Sequence, residues 1–319
     1  MQVVASEFRK RGGDVREPRP AIEEELARVH DREYISLISE TAGRATALDA
    51  DTFTSPDSYE VALLAAGAAI ASVDHVLEAP GRRALAMVRP PGHHAERNRA
   101  MGFCLFNNIA IAAAHAGARG LARVAIVDYD VHHGNGTQWA FYDDPSVLFV
   151  SSHQYPYYPG TGAATETGTG KGAGFTVNLP MEAGGTDADY EVAFRTVAIP
   201  VLRQFRPELI LISAGFDALA DDPLGGMRVT AEGFARLTAM ITQVADQCCN
   251  GRVIAITEGG YDLGGFASCL RAVIPILSGE ISLADSLAPS PAEARRATAG
   301  RGRSAIDAAL PGLRQFWRL

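Results

Sequence analysis

The 319-residue chain is short of several things, and each shortage disfavours a class of function. It has no surplus of positive charge: 29 basic side chains face 37 acidic ones, for a net charge of −8 at pH 7. That argues against a nucleic-acid partner, because neutralising phosphates needs a basic face. No apolar run approaches the ~20 residues expected of a membrane span. The opening MQVVASEFRKRGGD also lacks the apolar core of a signal peptide. Cysteines are few, and Cys104, Cys248, Cys249 and Cys269 have no zinc-finger spacing; a vicinal pair and two isolated thiols suit a reducing cytoplasm. No internal repeat is visible. What remains, 47% hydrophobic and 21% charged, is the composition of a globular chain.

The apolar residues fall into short runs that alternate with helical patterns. Strands are predicted at 84–88, 124–128, 147–151, 175–179, 209–213 and 252–257. Helices are predicted at 23–39, 58–77, 107–118, 136–141, 187–205, 230–246 and 263–277. This alternation means a parallel sheet covered on both faces. The fold class is therefore α/β, a doubly wound parallel sheet in a single domain spanning 1–319. From about residue 278 the chain turns rich in Ala, Pro, Ser and Arg. A helical tail is expected there, at 292–296 and 304–310, docked on the domain by Trp317.

Chemistry concentrates at the ends of the strands. Asp128-Tyr129-Asp130-Val131-His132-His133-Gly134-Asn135-Gly136 follows the apolar run 124–127, and open α/β sheets place their ligands at the carboxyl ends of strands. Continued extended backbone puts Asp128, Asp130 and His132 on one side and His133 on the other. An Asp and a His two apart are two legs for a divalent metal. One further acid makes an oxygen-rich three-ligand site with a position open for water. A helix N-cap followed by a glycine turn accounts for one Asp and the glycines, but not for two acids and two histidines in six residues. Of the eight histidines, four lie in two tandem pairs; the second pair, His93-His94, sits in Arg89-Pro90-Pro91-Gly92-His93-His94-Ala95 after another strand. Asp217 ends the stretch that begins at Leu209, and Tyr261 follows Glu258-Gly259-Gly260. Alone, Asp217 reads as a helix cap and Tyr261 as a core or surface aromatic. Four strand ends converging on acids, imidazoles and a phenol form a strong signal together.

PPGHHA, GFC (Gly102-Phe103-Cys104), DYDVHHGNGTQ, PGTG (159–162), SAGFDA and EGGY occur in the order found in the histone deacetylase superfamily, which this chain resembles from about residue 24 to about 275. Asn135 and Glu258 look like the class II and bacterial deacetylase-like branch, related to acetylpolyamine amidohydrolases, with the arginase/deacetylase fold. The resemblance implies a zinc-dependent amidohydrolase that removes an acetyl or other short acyl group by metal-activated water. The acylated amine would be an acylpolyamine or an acyl-lysine peptide. Asp130, His132 and Asp217 match the ligands of one zinc ion, although the donor set itself would also accept manganese or iron. His94 matches the general base and later acid, with His93 as its electrostatic partner. Asp128 matches the group orienting His93; Asn135 stands beside His94 where many members have Asp. Tyr261 matches the donor to the oxyanion, on a loop that Gly259 and Gly260 leave free to move. Glu258 is expected to be buried and hydrogen-bonded rather than catalytic.

Further implications concern the surroundings. Phe103 and Tyr158, the latter Phe in most members, are expected as facing, parallel walls of an acyl channel, with Gly102 allowing close approach of the substrate chain. A structural potassium ion is implied at Asp128, Asp130, His132, Ser151 and Ser152. The rim group that anchors the substrate backbone has its nearest candidates in Asp51 and Thr54. No counterpart of the family's opening strand and HPERP-like loop precedes Arg19-Pro20-Ala21. That would widen the entrance or leave it to a partner subunit of a homo-oligomer. Nothing resembles a DNA-binding or chromatin-reader module, so a histone substrate is not implied. Two competing readings are a C–N hydrolase for another small amide, arginase-like chemistry included, and a non-catalytic binding protein on the same fold. The single-metal ligand set and Tyr261 argue against arginase-like chemistry; the intact ligands, His pair and Tyr261 argue against lost activity.

Overall fold

A computed structural model describes residues 2–10, 12–79, 82–281 and 299–319. Among the described residues, six strands form one parallel sheet: β1 (Arg83–Ala86), β2 (Val124–Asp128), β3 (Val147–Gln154), β4 (Thr176–Met181), β5 (Leu209–Ala214) and β6 (Val253–Thr257). Their order is β1-β6-β5-β2-β3-β4, and every neighbouring pair is parallel. Each strand overlaps a predicted apolar run, with ends shifted at β1, β3 and β4. The runs are nearly continuous because both faces of the sheet are buried, and alternate residues feed different cores. Ala125, Val127, Leu148, Val150, Ile210 and Ile212 point into one layer. Val124, Ile126, Val147, Phe149, Leu209 and Leu211 point into the other. Full burial of a Val, Leu or Ile side chain contributes about 1.5–3 kcal/mol, so these two layers dominate the stability of the sheet.

The helices among the described residues are α1 (Gln2–Lys10), α2 (Glu23–Leu26), α3 (Arg32–Ser39), α4 (Ser58–Leu77), α5 (Asn108–Ala118), α6 (Asn135–Ala140), α7 (Asp187–Ala193), α8 (Ile199–Phe205), α9 (Ala231–Cys248), α10 (Leu263–Leu277) and α11 (Gly300–Leu313). A π-helical turn, Phe194–Ala198, joins α7 to α8. Helices α2 to α5 cover one face of the sheet and α7 to α11 the other. Side-chain caps start several of them: Asn107 accepts from the Ala110 N–H before α5, Thr230 from Gly233 before α9, and Asp262 from Gly264 and Gly265 before α10.

Two expectations need correction. The predicted helix 23–39 is two helices with a corner between them. His30 makes that corner: it is buried, its Nε2 accepts the Asn107 N–H at 2.9 Å, and its Nδ1 lies 2.9 Å from the Glu96 carbonyl oxygen. A polar ring at the corner is satisfied only because the chain turns there. The expectation of no membrane-length apolar run also fails. By length and composition α4 is able to cross a membrane, yet its Ala62, Ala66, Ala69, Ile70, Val73 and Val76 are buried in the core. Its apolarity serves packing against the sheet.

Helix α11 buries Ala305, Ile306, Ala309 and Leu313. It is tied down by the Gly302 N–H donating to Asp189 Oδ1 at 3.0 Å. After it, the Trp317 indole donates to the Gly174 carbonyl at 2.7 Å, and its ring stands edge-on to Phe175. The predicted helix at 292–296 lies outside the described residues. An ion pair between Glu7 of α1 and Arg271 of α10 spans 2.9 Å.

The strand order explains where a site belongs. From β2 the chain steps outward through β3 to β4, then returns to β5 and proceeds the opposite way to β6. Adjacent β2 and β5 therefore form the switch point, and a crevice opens beyond their carboxyl ends.

Candidate active site

Asp130 and His132 follow β2, and Asp217 follows β5. One ligand atom from each lies within 4.8 Å of the other two. His132 Nδ1 is 3.1 Å from Asp130 Oδ1 and 3.2 Å from Asp217 Oδ2. The strand ends at Asp128, so alternation along extended backbone is not what aims these side chains. The loop is instead fastened to the carboxylates themselves. Asp128 Oδ1 accepts the Asp130 N–H at 3.1 Å, and Asp130 Oδ1 accepts the His132 N–H at 2.8 Å. Asp217 Oδ1 accepts the Val131 N–H at 2.9 Å, and Asp130 Oδ2 accepts the Gly259 N–H at 2.9 Å. His133 turns away, with Nδ1 2.7 Å from Thr161 Oγ1 and Nε2 3.0 Å from Gln138 Oε1.

Two glycines of the SAGFDA and EGGY motifs owe their identity to this packing. A Cβ at Gly215 would stand 2.0 Å from Asp130 Oδ2, and one at Gly259 would stand 2.0 Å from Asp217 Oδ2. Asp130 and Asp217 are fully buried. Two buried anionic oxygens converging on one imidazole nitrogen are costly without a cation. They are a donor set for a divalent ion such as zinc.

His93 and His94 sit on the buried turn after β1, with ring centroids 4.1 Å apart. His93 Nδ1 lies 2.9 Å from Asp128 Oδ2, and its Nε2 lies 3.8 Å from Asp130 Oδ1. His94 Nδ1 lies 2.8 Å from Asn135 Oδ1. The turn is pinned by Glu258, whose Oε2 accepts the N–H groups of Gly92 at 2.6 Å and His93 at 3.1 Å. Its Oε1 accepts from the Ser213 hydroxyl at 3.1 Å. Glu258 thus ties the histidine turn to the loop that carries Tyr261.

The Tyr261 N–H donates to Asp222 Oδ2 at 2.6 Å, fixing that loop from the other side. The Tyr261 ring meets Phe103 at 5.7 Å and 68°. Phe103 adopts φ +65°, a left-handed conformation that costs a bulky residue on the order of 1–3 kcal/mol. Asp51 Oδ1 accepts the Gly102 N–H at 3.2 Å and Thr52 Oγ1 accepts the Phe103 N–H at 3.1 Å, and these bonds hold the turn. The strained turn leaves the Phe103 ring 41% exposed at the mouth of the crevice.

Tyr158 stands edge-on to His94 at 5.1 Å and 89°, and to His132 at 6.0 Å and 84°. Tyr157 lies nearly flat over His132, at 5.6 Å and 18°. A groove of about 580 Å³, lined in part by Asp51, Phe53, Arg89, Phe103 and Tyr261, opens beside the mouth. Asp51 is therefore at the rim. Thr54, the other rim candidate, is buried and bonded to the Arg44 carbonyl and the Thr46 N–H.

The electrostatics follow from burial and from the three acids. Burial opposes charge on His132, but the carboxylates of Asp130 and Asp217 outweigh it and raise its pKa, so positive charge is favoured at Nδ1 whether a proton or a metal ion carries it. Burial likewise works against His93, whose pKa Asp130 and Asp128 raise to about 10. His94 is held well below the ordinary value by burial and by the charges of His93 and His132. Burial, reinforced by Asp130, pushes Asp217 up to about 7. Burial also raises the Tyr261 phenol, with Asp217 and Asp130 adding to it, so the phenol keeps its proton and stays a donor. Adjacent imidazoles therefore differ sharply, one favouring a charge and the other neutral.

Sequence reasoning missed three contributors: Tyr157 over His132, Asp222 under Tyr261, and Glu96. The side chain of Glu96 accepts from Asn135 Nδ2 at 2.7 Å. Tyr157 adjoins a residue that the motif did mark. The others act across long separations in sequence and carry no local pattern.

The histone deacetylase domain profile matches residues 2–277. The chain belongs to the histone deacetylase family. It is similar to histone deacetylase 10, chloroplastic, of Oryza sativa subsp. japonica, with 42% identity over 284 residues that cover 85% of this chain and 64% of the relative. It is similar also to polyamine deacetylase HDAC10 of Homo sapiens, 44% identical over 280 residues, covering 82% of this chain and 41% of the relative. The chain thus spans less than two thirds of the length of either relative. The crystal structure of the HDA15 HD domain superposes with a TM-score of 0.87 at 37% identity, covering 99% of this chain and 86% of that one. Family membership accounts for the order of the motifs, and the parallel sheet with its switch-point crevice is the family's fold.

Proposed function

We propose that this chain is a metal-dependent amidohydrolase that removes an acetyl or other short acyl group from an acylated amine. One observation carries the reading. Asp130, His132 and Asp217 converge within 4.8 Å at the switch point, in the same crevice as a tandem histidine pair and a buried phenol. A zinc ion held by these three side chains would polarise the acyl carbonyl and acidify water. His94 is the general base: its environment keeps it neutral, and it later returns the proton to the departing amine. His93, paired with Asp128 at 2.9 Å, supplies positive charge beside the reacting oxygen. Tyr261 donates its phenolic hydrogen to the oxygen that gains charge as the carbonyl is attacked. Phe103, Tyr157 and Tyr158 shield the site from water and take the aliphatic stem of the amine.

The named activities of the relatives, a histone deacetylase and a polyamine deacetylase, support an acylated primary amine as the substrate class. A potassium ion at Asp128, Asp130, His132, Ser151 and Ser152 would brace the ligand loop. Support for it comes from the pairing of Asp128 with Ser151 across β2 and β3, and from the Ser152 hydroxyl lying 3.5 Å from the Asp128 carbonyl. The four free thiols fit a reducing compartment. The test is hydrolysis of a fluorogenic acetyl-lysine peptide and of acetylputrescine by zinc-loaded protein, with and without chelator. Chelator-sensitive release of acetate from either substrate supports the proposal. Its absence from both, at full zinc occupancy, removes it.

A further inference from the structure

Asn135 is almost fully buried, and its amide has fixed surroundings. Its Oδ1 lies 2.8 Å from His94 Nδ1. Its Nδ2 faces Glu96 Oε1 at 2.7 Å, Met101 Sδ at 3.4 Å and the His94 carbonyl oxygen at 3.5 Å. A carboxylate, a thioether and a carbonyl have nothing to donate. Turning the amide by half a rotation would set its oxygen against three acceptors, none able to supply it a hydrogen, the costly case for a polar group out of water. Oδ1 must therefore face the imidazole, and His94 Nδ1 must carry the hydrogen that Oδ1 accepts. Nε2 is then the nitrogen with a free lone pair.

Glu96 is well placed for this. Its backbone N–H donates to the Arg99 carbonyl at 2.9 Å, and its own carbonyl lies 2.9 Å from His30 Nδ1. Both ends of the residue are held, while its side chain is only half-buried. Among the three groups facing Nδ2 it makes the shortest bond, and it is the only one carrying a negative charge. Charge-assisted bonds of this kind are roughly twice as strong as neutral ones.

We propose that Glu96 is a positioning residue: by accepting from Asn135 it fixes the amide's orientation, and through the amide it holds His94 in the Nδ1–H tautomer that leaves Nε2 free to take a proton. The proton balance is simple. Nε2 gains one proton from water and later gives it to the amine, while the Nδ1–H···Oδ1 bond stays intact. The inference rests on the reading of His94 as the base.

The test uses the zinc-loaded chain with 15N-labelled histidine. His94 is assigned by comparison with H94A, and its tautomer is read from long-range 1H–15N correlations. E96L removes the acceptor and keeps bulk; E96Q keeps an acceptor but adds donors. The expected result is the Nδ1–H tautomer in the parent chain and a mixture of tautomers in E96L. The kcat of E96L should fall about tenfold, the lower end for outer-shell groups, with KM and zinc content unchanged and a smaller fall in E96Q. If E96L keeps the Nδ1–H tautomer, the proposal is overturned, whether or not kcat falls. Unchanged turnover in H94A would instead overturn the assignment of the base, independently of Glu96.

Discussion

Replacing Asn135 with aspartate puts a charge where the protein keeps a neutral amide, and the tandem histidines supply the comparison that sizes the effect. Both rings are buried, and each Nδ1 has one partner, at 2.9 Å for His93 and 2.8 Å for His94. His93, bonded to the Asp128 carboxylate and near Asp130, is raised to about 10 against burial. His94, bonded to an amide, is lowered by burial and by its charged neighbours. A carboxylate this close raises an imidazole pKa by roughly 1–3 units, or about 1.4–4 kcal/mol. Glu96 limits the gain, because its carboxylate lies 2.7 Å from Asn135 Nδ2 and would face a second acid. N135D alone therefore belongs near the lower end, about 1 unit, and N135D/E96Q nearer the upper end. A base must be neutral to accept a proton, so a raised pKa keeps it protonated to higher pH. The acidic limb of kcat/KM against pH moves upward, by more in the double variant. Profiles that superpose on the parent's in both variants refute the reasoning.

Three further outcomes are expected. Y261F should lose on the order of 10²–10³ in kcat with KM little changed, read by steady-state kinetics; a fall below tenfold removes the phenol from the oxyanion role. G215A brings a Cβ to 2.0 Å from Asp130 Oδ2, so bound zinc measured after dialysis should drop sharply, and undiminished zinc would show that the carboxylate relaxes freely. The third concerns acid stability. The side-chain bond from Arg19, with help from the Ile22 N–H, lowers Glu25 from 4.5 to about 2. Its contribution is present above pH 4.5 and is lost as pH falls through about 2. Because the Arg19 side chain is 51% exposed, screening holds that contribution to about 1 kcal/mol. The Tm gap between parent and E25Q should be steady at neutral pH and close on acidification; a gap that persists near pH 2 contradicts the assignment.

Strands were the most legible part of the chain, because burial on both faces writes them as unbroken apolar runs such as Leu209-Ile210-Leu211-Ile212. The metal trio was legible through residue type at strand ends, although Asp130 and His132 reach it by a hydrogen-bonded loop rather than by strand alternation. Helical spacing could not show the corner at His30, since its cause is a bond to Asn107, distant in sequence. The membrane-length apolarity of Ser58–Leu77 is not written as an uninterrupted run, because Ser58, Glu60 and Asp74 break it. Glu96 was illegible for a related reason. Its partner Asn135 is remote along the chain, and a lone Glu in a polar loop looks like solvated surface. Tyr158 was marked by its motif, but the orientation of its ring depends on His94 and His132, which only the folded chain brings beside it.

The most decisive measurement is the zinc content of chelator-stripped protein after reconstitution and dialysis, for the parent chain and for D217N. One zinc per chain in the parent and nearly none in D217N is the predicted result. A parent chain that retains no zinc, or a D217N chain that retains as much as the parent, would contradict a centre built from Asp130, His132 and Asp217.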